Sequence, residues 1–511
     1  MSTFLVSPTP SLSPFSRSWV SIGRWRGKSL LISNGWKKSV SLFSKIIERA
    51  GSSRITASGD FSNFPEPSEE DAKFCAYVWP HSQRPRVCIL GGGFGGLYTA
   101  LRLESLMWDE DKKPQVILID QSERFVFKPL LYELLSGEVD VWEIAPRFTD
   151  LLANTSITFL KERVKLLKPY DNGSIGAGCS GKVLLQSGLL IEYDWLVLAL
   201  GSEPKLDFIP GASEFAYPFS TLEDACRVNA KLKDLERERF GTKNPIRVTI
   251  VGCGYSGVEL AATISERVGD RGLVQAINSE STILPNSSLG NREAALKILD
   301  ARKVKLMLGY FLRSIERGDS GEYLLSLQAA AKGLPIKNVE SDMVLFTVGS
   351  KPPLMKMEPY ELPLNARGQA ETVETLQVKG HPRIFAIGDS SAIRDQSGKI
   401  LAPTAQVAFQ QADFTGWNLW AAINDRPLIP FRFQNLGEMM TLGTQDAAVS
   451  PSFVEGFTLE GPVGHYARKF AYLMRLPTDE HRMKVGMSWF VKSAVDVVSS
   501  FQKTLSDSFT G

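Results

Sequence analysis

The chain has 511 residues, 43% of them hydrophobic, and a formal charge of +2, which allows about three domains with large cores. Nine Lys or Arg against the single acid Glu48 give residues 1–57 a net of +8, so the remainder carries −6 and is no basic nucleic-acid-binding body. Five cysteines without close spacing and four scattered histidines exclude a disulfide framework and a structural metal site, and no run approaches the ~18 apolar residues that span a bilayer.

The leader is dense in serine, with Ser11, Ser13, Ser16, Ser18 and Ser21 in one short stretch. That is the composition of an organelle transit peptide, favoured over a basic arm whose charge the body would share. Ile55-Thr-Ala57 resembles a plastid processing site. The excess of hydroxylated residues over arginine favours plastid over mitochondrion, with dual import open. Residues 58–83, polar and rich in Pro and acids, read as a linker.

From Arg84 the pattern becomes α/β. Val87-Cys-Ile-Leu runs into Gly91-Gly-Gly93-Phe94-Gly95-Gly96, and Val248-Thr-Ile-Val runs into Gly252-Cys-Gly254-Tyr255-Ser256-Gly257, 161 residues later. Each motif spells strand, tight turn and helix. Its glycines turn the chain, admit a pyrophosphate and let helix and strand pack closely. The phosphates sit at the helix N-terminus, where free amides and the dipole favour negative charge. Two such motifs describe a protein that holds two dinucleotides. The next strand differs between them: the first ends in Asp120, an acid able to hold a ribose hydroxyl, and the second in Asn278.

Two buried-strand elements also repeat, Tyr193 to Gly201-Ser-Glu-Pro204 and Ser341 to Gly349-Ser-Lys-Pro-Pro353. Strand and turn recur at Pro382 to Gly388-Asp389. If this last strand returns to the first sheet, residues 215–340 form a second nucleotide domain inserted between 84–214 and 341–430. Gln406 and Gln410, four residues apart, share one helix face. From residue 431 a short β-like stretch leads to two helical patterns. In the first, Val463, Tyr466, Ala467, Phe470, Leu473 and Met474 alternate with Arg468, Lys469 and Arg475. Residues 461–492 carry six Lys or Arg against two acids, the balance of an interfacial helix drawn to anionic lipid. Core-facing helices or a homodimer interface are the other readings of this tail.

The four landmarks in this order resemble the flavoproteins with two dinucleotide-binding domains, a glutathione-reductase-like α/β architecture. The resemblance implies FAD at Gly91, Gly93, Phe94, Gly95, Gly96, Asp120, Gly201, Asp389 and Ala405. It implies NADPH or NADH at Gly252, Gly254, Tyr255, Ser256, Gly257, Asn278 and Gly349. No cysteine pair occurs in the stretch from Phe125 to Gly137, and Cys179 has no partner nearby, which disfavours thiol chemistry. Ala402-Pro-Thr-Ala405-Gln406-Val-Ala-Phe-Gln410-Gln411, with the amphipathic tail, is similar to the type II, single-subunit NAD(P)H:quinone oxidoreductases, nearest the plant C-class. That likeness implies a lipophilic quinone beside Gln406 and Gln410, whose amides would donate to its carbonyls. It implies a proton-handling or nucleotide-ordering role for Glu259, and a tail at residues 431–511 that contacts a thylakoid or plastid lipid-droplet surface. The neutral Asn278 does not repel a 2′-phosphate, so NADPH is expected to serve at least as readily as NADH. A flavin reductase with a soluble acceptor, or a redox sensor binding NAD(P)H, is the alternative.

Overall fold

A computed structural model describes residues 75–170, 179–331, 335–357 and 362–510, with side chains to residue 494. The leader at 1–57, its processing site and the first part of the expected linker lie outside the described residues. The end of that linker is not loose: β1 (Cys75–Ala76) pairs with the strand at 189–193, and the Trp79 indole donates to the Glu192 carbonyl at 2.8 Å.

The first nucleotide unit begins with β2 (Arg86–Leu90), α1 (Phe94–Ser105), β3 (Gln115–Asp120) and β4 (Thr158–Lys161). β2 and β3 are runs rich in Val, Ile and Leu buried on both faces, as central parallel strands covered by helices must be, whereas the edge strand β4 is partly exposed. An antiparallel meander of β5 (Val164–Pro169), β6 (Gly181–Leu185) and β7 (Leu189–Tyr193) follows, and β8 (Trp195–Leu198) then returns beside β2. The chain leaves through β9 (Glu203–Pro204).

The second unit repeats this plan. It contains β10 (Ala216–Pro218), α2 (Leu222–Glu238), β11 (Ile246–Val251), α3 (Tyr255–Val268), β12 (Gly272–Asn278), α4 (Leu289–Ala301) and β13 (Lys305–Leu308). Its own meander, β14 (Tyr310–Arg317), β15 (Tyr323–Ala329) and β16 (Lys337–Ser341), precedes β17 (Met343–Phe346). The sheet order is β10-β17-β11-β12-β13. Because β17 pairs with both β10 and β11, the second unit runs past the expected boundary at 341. The chain crosses back at β18 (Ser350–Lys351), which pairs antiparallel with β9, so both connections lie together.

After β19 (Gln377–Val378), β20 (His381–Ala386) joins the first sheet beside β8, completing the order β19-β20-β8-β2-β3-β4. The expected insertion of one unit within the other is therefore the observed topology. Helix α5 (Ala405–Ile423) packs along α1. A small sheet of β21 (Gly437–Thr441), β22 (Ala447–Pro451) and β23 (Leu459–Glu460) leads into α6 (Gly461–Leu473) and α7 (Asp479–Thr510).

Candidate active site

The two fingerprint loops have the same backbone. Gly91 and Gly252 adopt φ of +98° and +103°, and their amides donate to Ile119 and Ile277 at 2.7 and 2.8 Å. A Cβ at Gly96 or Gly257 would collide with the carbonyl oxygen of Gly91 or Gly252, so only glycine lets helix meet loop there. A Cβ at Gly93 or Gly254 would instead meet open space. Neither helix start has a side-chain cap, which leaves the first-turn amides of Phe94, Gly95 and Gly96, and of Tyr255, Ser256 and Gly257, for an anion. The open cradles fit two pyrophosphates.

The strand ends differ as the sequence implies. Asp120 accepts the Gly92 N–H at 2.6 Å and the Ser122 N–H at 2.7 Å. Burial pushes its carboxyl up, against these donors and Lys128. Asn278 accepts the Cys253 N–H at 3.3 Å but donates its amide to the Thr282 carbonyl at 2.8 Å. Gly201 and Gly349, both left-handed at φ +66° and +75°, end the repeated strands. Asp389 sits in the Gly388–Ser390 turn, where it accepts the Ser202 hydroxyl at 2.5 Å. Gln411 of α5 holds that turn by accepting the Gly388 N–H at 2.6 Å, a contact no sequence motif announces. Ala405 opens α5, the helix that packs along α1 through the Thr99 to Ala412 bond and holds the Asp389 turn through Gln411.

The glutamines expected to face a quinone have a second task. The Gln406 amide donates to Gly437 and accepts from Leu436, both at 3.0 Å, and the Gln410 amide pairs likewise with Gln434 at 2.8 and 2.9 Å. Each side chain thus clamps the segment leading into β21 and keeps one of its two N–H donors outside that pairing. Beside them Phe94, Tyr98, Phe125, Phe127 and Phe409 form an aromatic cluster with centroids 4.4 to 6.5 Å apart. Tyr472 of α6 extends it at 5.5 Å from Phe127.

Glu259, two residues past Gly257, is buried and accepts the Thr441 N–H of β21 at 3.1 Å. Burial pushes its pKa up to about 7, while Thr441, Arg468 and Tyr132 act in the opposite direction. Tyr132 also bonds Ser256 at 2.7 Å. Arg468, fully buried on α6, is ion-paired to buried Glu133. Sequence reading missed Glu133 and mistook Arg468, because α6 is inside out. Its buried face is Gly464, His465, Arg468 and Tyr472, whereas Val463, Tyr466 and Phe470 are each about two-thirds exposed. Of the expected lipid-facing cations, Arg468 and Lys469 turn inward, Lys492 is partly covered, and Arg482 and Lys484 form exposed pairs along their own helix. Arg468, Lys469, Arg482, Lys484 and Lys492 pair with Glu133, Glu138, Asp479, Glu480 and Glu143 respectively. Among the described residues Arg475 alone of the six lies exposed without an ion pair, its guanidinium 5.9 Å from the Phe409 ring.

Thiols take no part in this geometry. Burial pushes the Cys253 thiol up to about 12 and raises that of Cys88 as well, so neither supplies a thiolate.

The family profile described as pyridine nucleotide-disulphide oxidoreductase matches residues 85–412. The chain is 66% identical over 461 residues to the alternative NAD(P)H-ubiquinone oxidoreductase C1, chloroplastic/mitochondrial, of Arabidopsis thaliana, covering 88% of this chain and 89% of that protein. It is 41% identical to the demethylphylloquinone reductase NdbB of Synechocystis, covering 81% of this chain and 97% of the relative. Among solved structures, NDH2 of Plasmodium falciparum in complex with NADH superposes with a TM-score of 0.67 at 17% identity, covering 80% of this chain and 97% of that one.

Proposed function

The chain belongs to the pyridine nucleotide-disulphide oxidoreductase family, in its type II branch, and we propose that it oxidises NADPH, or NADH, and reduces a lipophilic quinone through FAD. The observation that carries the reading is the meeting, at Glu259, of the second nucleotide helix with the C-terminal β21 and α6. It puts a buried proton-holding carboxyl beside an aromatic wall, where no thiol competes.

The first cradle, with Asp120 and Asp389, would hold FAD, which would supply hydride acceptance and two-electron donation, and the second, with Asn278, would hold the exchangeable nicotinamide nucleotide. Phe94, Phe127, Phe409 and Tyr472 make a dry wall suited to a flat apolar ring. Gln406 and Gln410 fix the segment that closes over this wall, and their remaining N–H donors suit quinone carbonyls. One of the quinol's two protons arrives with the hydride and the other comes from solvent. In this reading Glu259, protonated below about pH 7, supplies it.

The acceptor is a prenylated benzoquinone or naphthoquinone, a class supported by the names of both relatives. A plastid destination, thylakoid or lipid droplet, rests on the leader's composition and the chloroplastic/mitochondrial name of the plant relative. The tail supplies the lipid contact. No helix among the described residues is long and apolar enough to cross a membrane. The outward stripes Val463, Tyr466, Phe470 and Met474, then Met483, Met487, Phe490 and Val491, each fall on one helix face. With Arg468 and Lys469 turned inward, insertion of these side chains is the main contact with the surface, and the exposed Arg475 and Lys484 add a smaller electrostatic one.

Steady-state oxidation of NADPH and NADH by the purified protein against a panel of benzo- and naphthoquinones tests the reaction. Turnover with soluble acceptors but no quinone would replace it by the flavin-reductase alternative. For the lipid contact, Phe470→Asp combined with Phe490→Asp should release the protein from uncharged vesicles. Retention by the double variant would assign the stripe to another partner.

A further inference from the structure

The second cradle is bordered by a loop that the C-terminal region holds in place. Past β12, within residues 279–288, Leu284 stands at φ +48° and donates its N–H to the carbonyl of Cys253, inside the fingerprint, at 2.9 Å. A left-handed leucine persists only where its surroundings hold it, and Arg292 of α4 does so by donating to the Leu284, Pro285 and Ser287 carbonyls. Ser287, near the end of this loop, accepts the Tyr255 hydroxyl at 2.9 Å. Tyr255 opens α3 directly after Gly254, where a Cβ would meet open space, so this contact starts at the cradle.

Two more hydrogen bonds carry the line out of the second unit. The Ser287 hydroxyl donates to Glu438 of β21 at 2.9 Å, and the Ser288 N–H, at the start of α4, donates to the same carboxylate oxygen at 2.9 Å. Helix α4 has no side-chain cap of its own, so an acceptor from β21 suits its free amides. With its proton given to Glu438, the Ser287 oxygen can only accept from Tyr255, which sets the direction of every bond in the line. Burial raises the Tyr255 phenol, so the hydroxyl stays a donor. Strand β21 thus holds one face of α3 twice. Tyr255 and Glu259, four residues apart, reach Glu438 through Ser287 and the Thr441 N–H respectively. Gly437, the residue before Glu438, accepts the Gln406 amide of α5. In the first unit Phe94 stands where Tyr255 does and packs into the aromatic wall instead.

We propose that Glu438 is a positioning residue for the nicotinamide nucleotide: through Ser287 it fixes Tyr255 beside the second cradle, so the strand clamped by Gln406 on the acceptor side also completes the nucleotide site. The inference rests on the quinone-reductase reading only for the assignment of the second cradle to that nucleotide. Glu438 acts two hydrogen bonds away from Tyr255. Its loss should therefore weaken nucleotide binding and spare the chemical step.

Equilibrium dialysis of NADP+ and of NAD+ against the full-chain holoenzyme reads binding without any quinone. Glu438→Ala and Ser287→Ala should each weaken binding of the preferred nucleotide about tenfold, the scale of a lost hydrogen bond to a charged group. KM for the reduced nucleotide should rise in step, with kcat within about twofold. Glu438→Gln keeps an oxygen that accepts, so it should stay within about threefold of the unaltered protein. Because the three residues act as one line, the double variant should bind less than about twofold more weakly than either single one. Unchanged binding in both single variants, or losses that multiply in the double variant, overturns the proposal. Loss of FAD from both alanine variants, unrepaired in Glu438→Gln, assigns the line to folding and overturns it equally. An unaltered holoenzyme that binds nucleotide but reduces no quinone removes the quinone-reductase reading and leaves the role of Glu438 standing.

Discussion

The first and second nucleotide units share a fingerprint strand, loop and helix and an antiparallel meander, yet the residue two places past the third glycine is Tyr98 in one and Glu259 in the other. Both positions are met by the C-terminal region: the Tyr98 hydroxyl donates to the Arg475 carbonyl, and Glu259 accepts the Thr441 N–H. The loops beneath differ as well. Gly91 rests against the backbone of Ala199 and Leu200, whereas Gly252 rests against the Thr347 and Val348 side chains. A duplicated scaffold thus fixes where two pyrophosphates sit, and what packs on the next helical turn decides the chemistry. An apolar, hydrogen-bonded tyrosine suits a cofactor that stays. A buried carboxyl that titrates near neutrality suits the side where protons and substrates exchange.

Equivalent glycine substitutions should break the two units unequally, and this is the largest effect expected. In Gly96→Ala the added methyl meets the Gly91 carbonyl and α1 must shift, so the purified protein should lack FAD. Gly257→Ala meets the Gly252 carbonyl in the same way. It should keep FAD yet lose about a hundredfold in flavin reduction by NADPH, because misplacement of this order costs that much. Absorbance of the purified proteins and anaerobic reduction separate the outcomes. Loss of FAD from both would show that the second unit is also needed to fold the first.

The paired helix positions give the next effect. Glu259→Gln should slow quinone reduction about a hundredfold, and Tyr98→Phe by less than about threefold. The carboxyl is protonated below about pH 7, so the unaltered rate should be level there and fall about tenfold per unit above. Glu259→Gln should flatten that fall. A profile unchanged by the variant would take the proton away from Glu259.

Much of this contrast was legible in the chain. Glycine spacing, Asp120, Asn278, the repeated strand ends and Gly388-Asp389 are local signals, each set by backbone geometry within a few residues. The Arg468 and Glu133 pair was not, because its partners lie 335 residues apart. At α6 helical periodicity finds an apolar stripe that the structure leaves exposed, and what it does not find is the partner of the opposite face. Here the inward face is polar because it meets Glu133 and Glu138, which α6 alone does not reveal. The same limit applies to Gln406 and Gln410, whose spacing shows a shared face but not the backbone at 434–437 that occupies it.

The smallest effect, and the sharpest test of the comparison, lies at the strand ends. Asp120 is surrounded by donors and accepts two N–H groups, so a carboxylate suits it. Asn278 faces one donor and one acceptor, the Cys253 N–H and the Thr282 carbonyl, so an amide satisfies both. The amide therefore has a structural reason to be there as well as a coenzyme reason. Asn278→Asp separates the two. If the neutral group admits the 2′-phosphate, kcat/KM for NADPH should fall about tenfold, some 1.4 kcal/mol, while that for NADH stays within about twofold. If the amide only satisfies Thr282, the carboxylate would repel that carbonyl whichever nucleotide is present, and both values should fall together. Equal losses would leave the two units differing in loop chemistry alone, with nucleotide choice set elsewhere on the second unit.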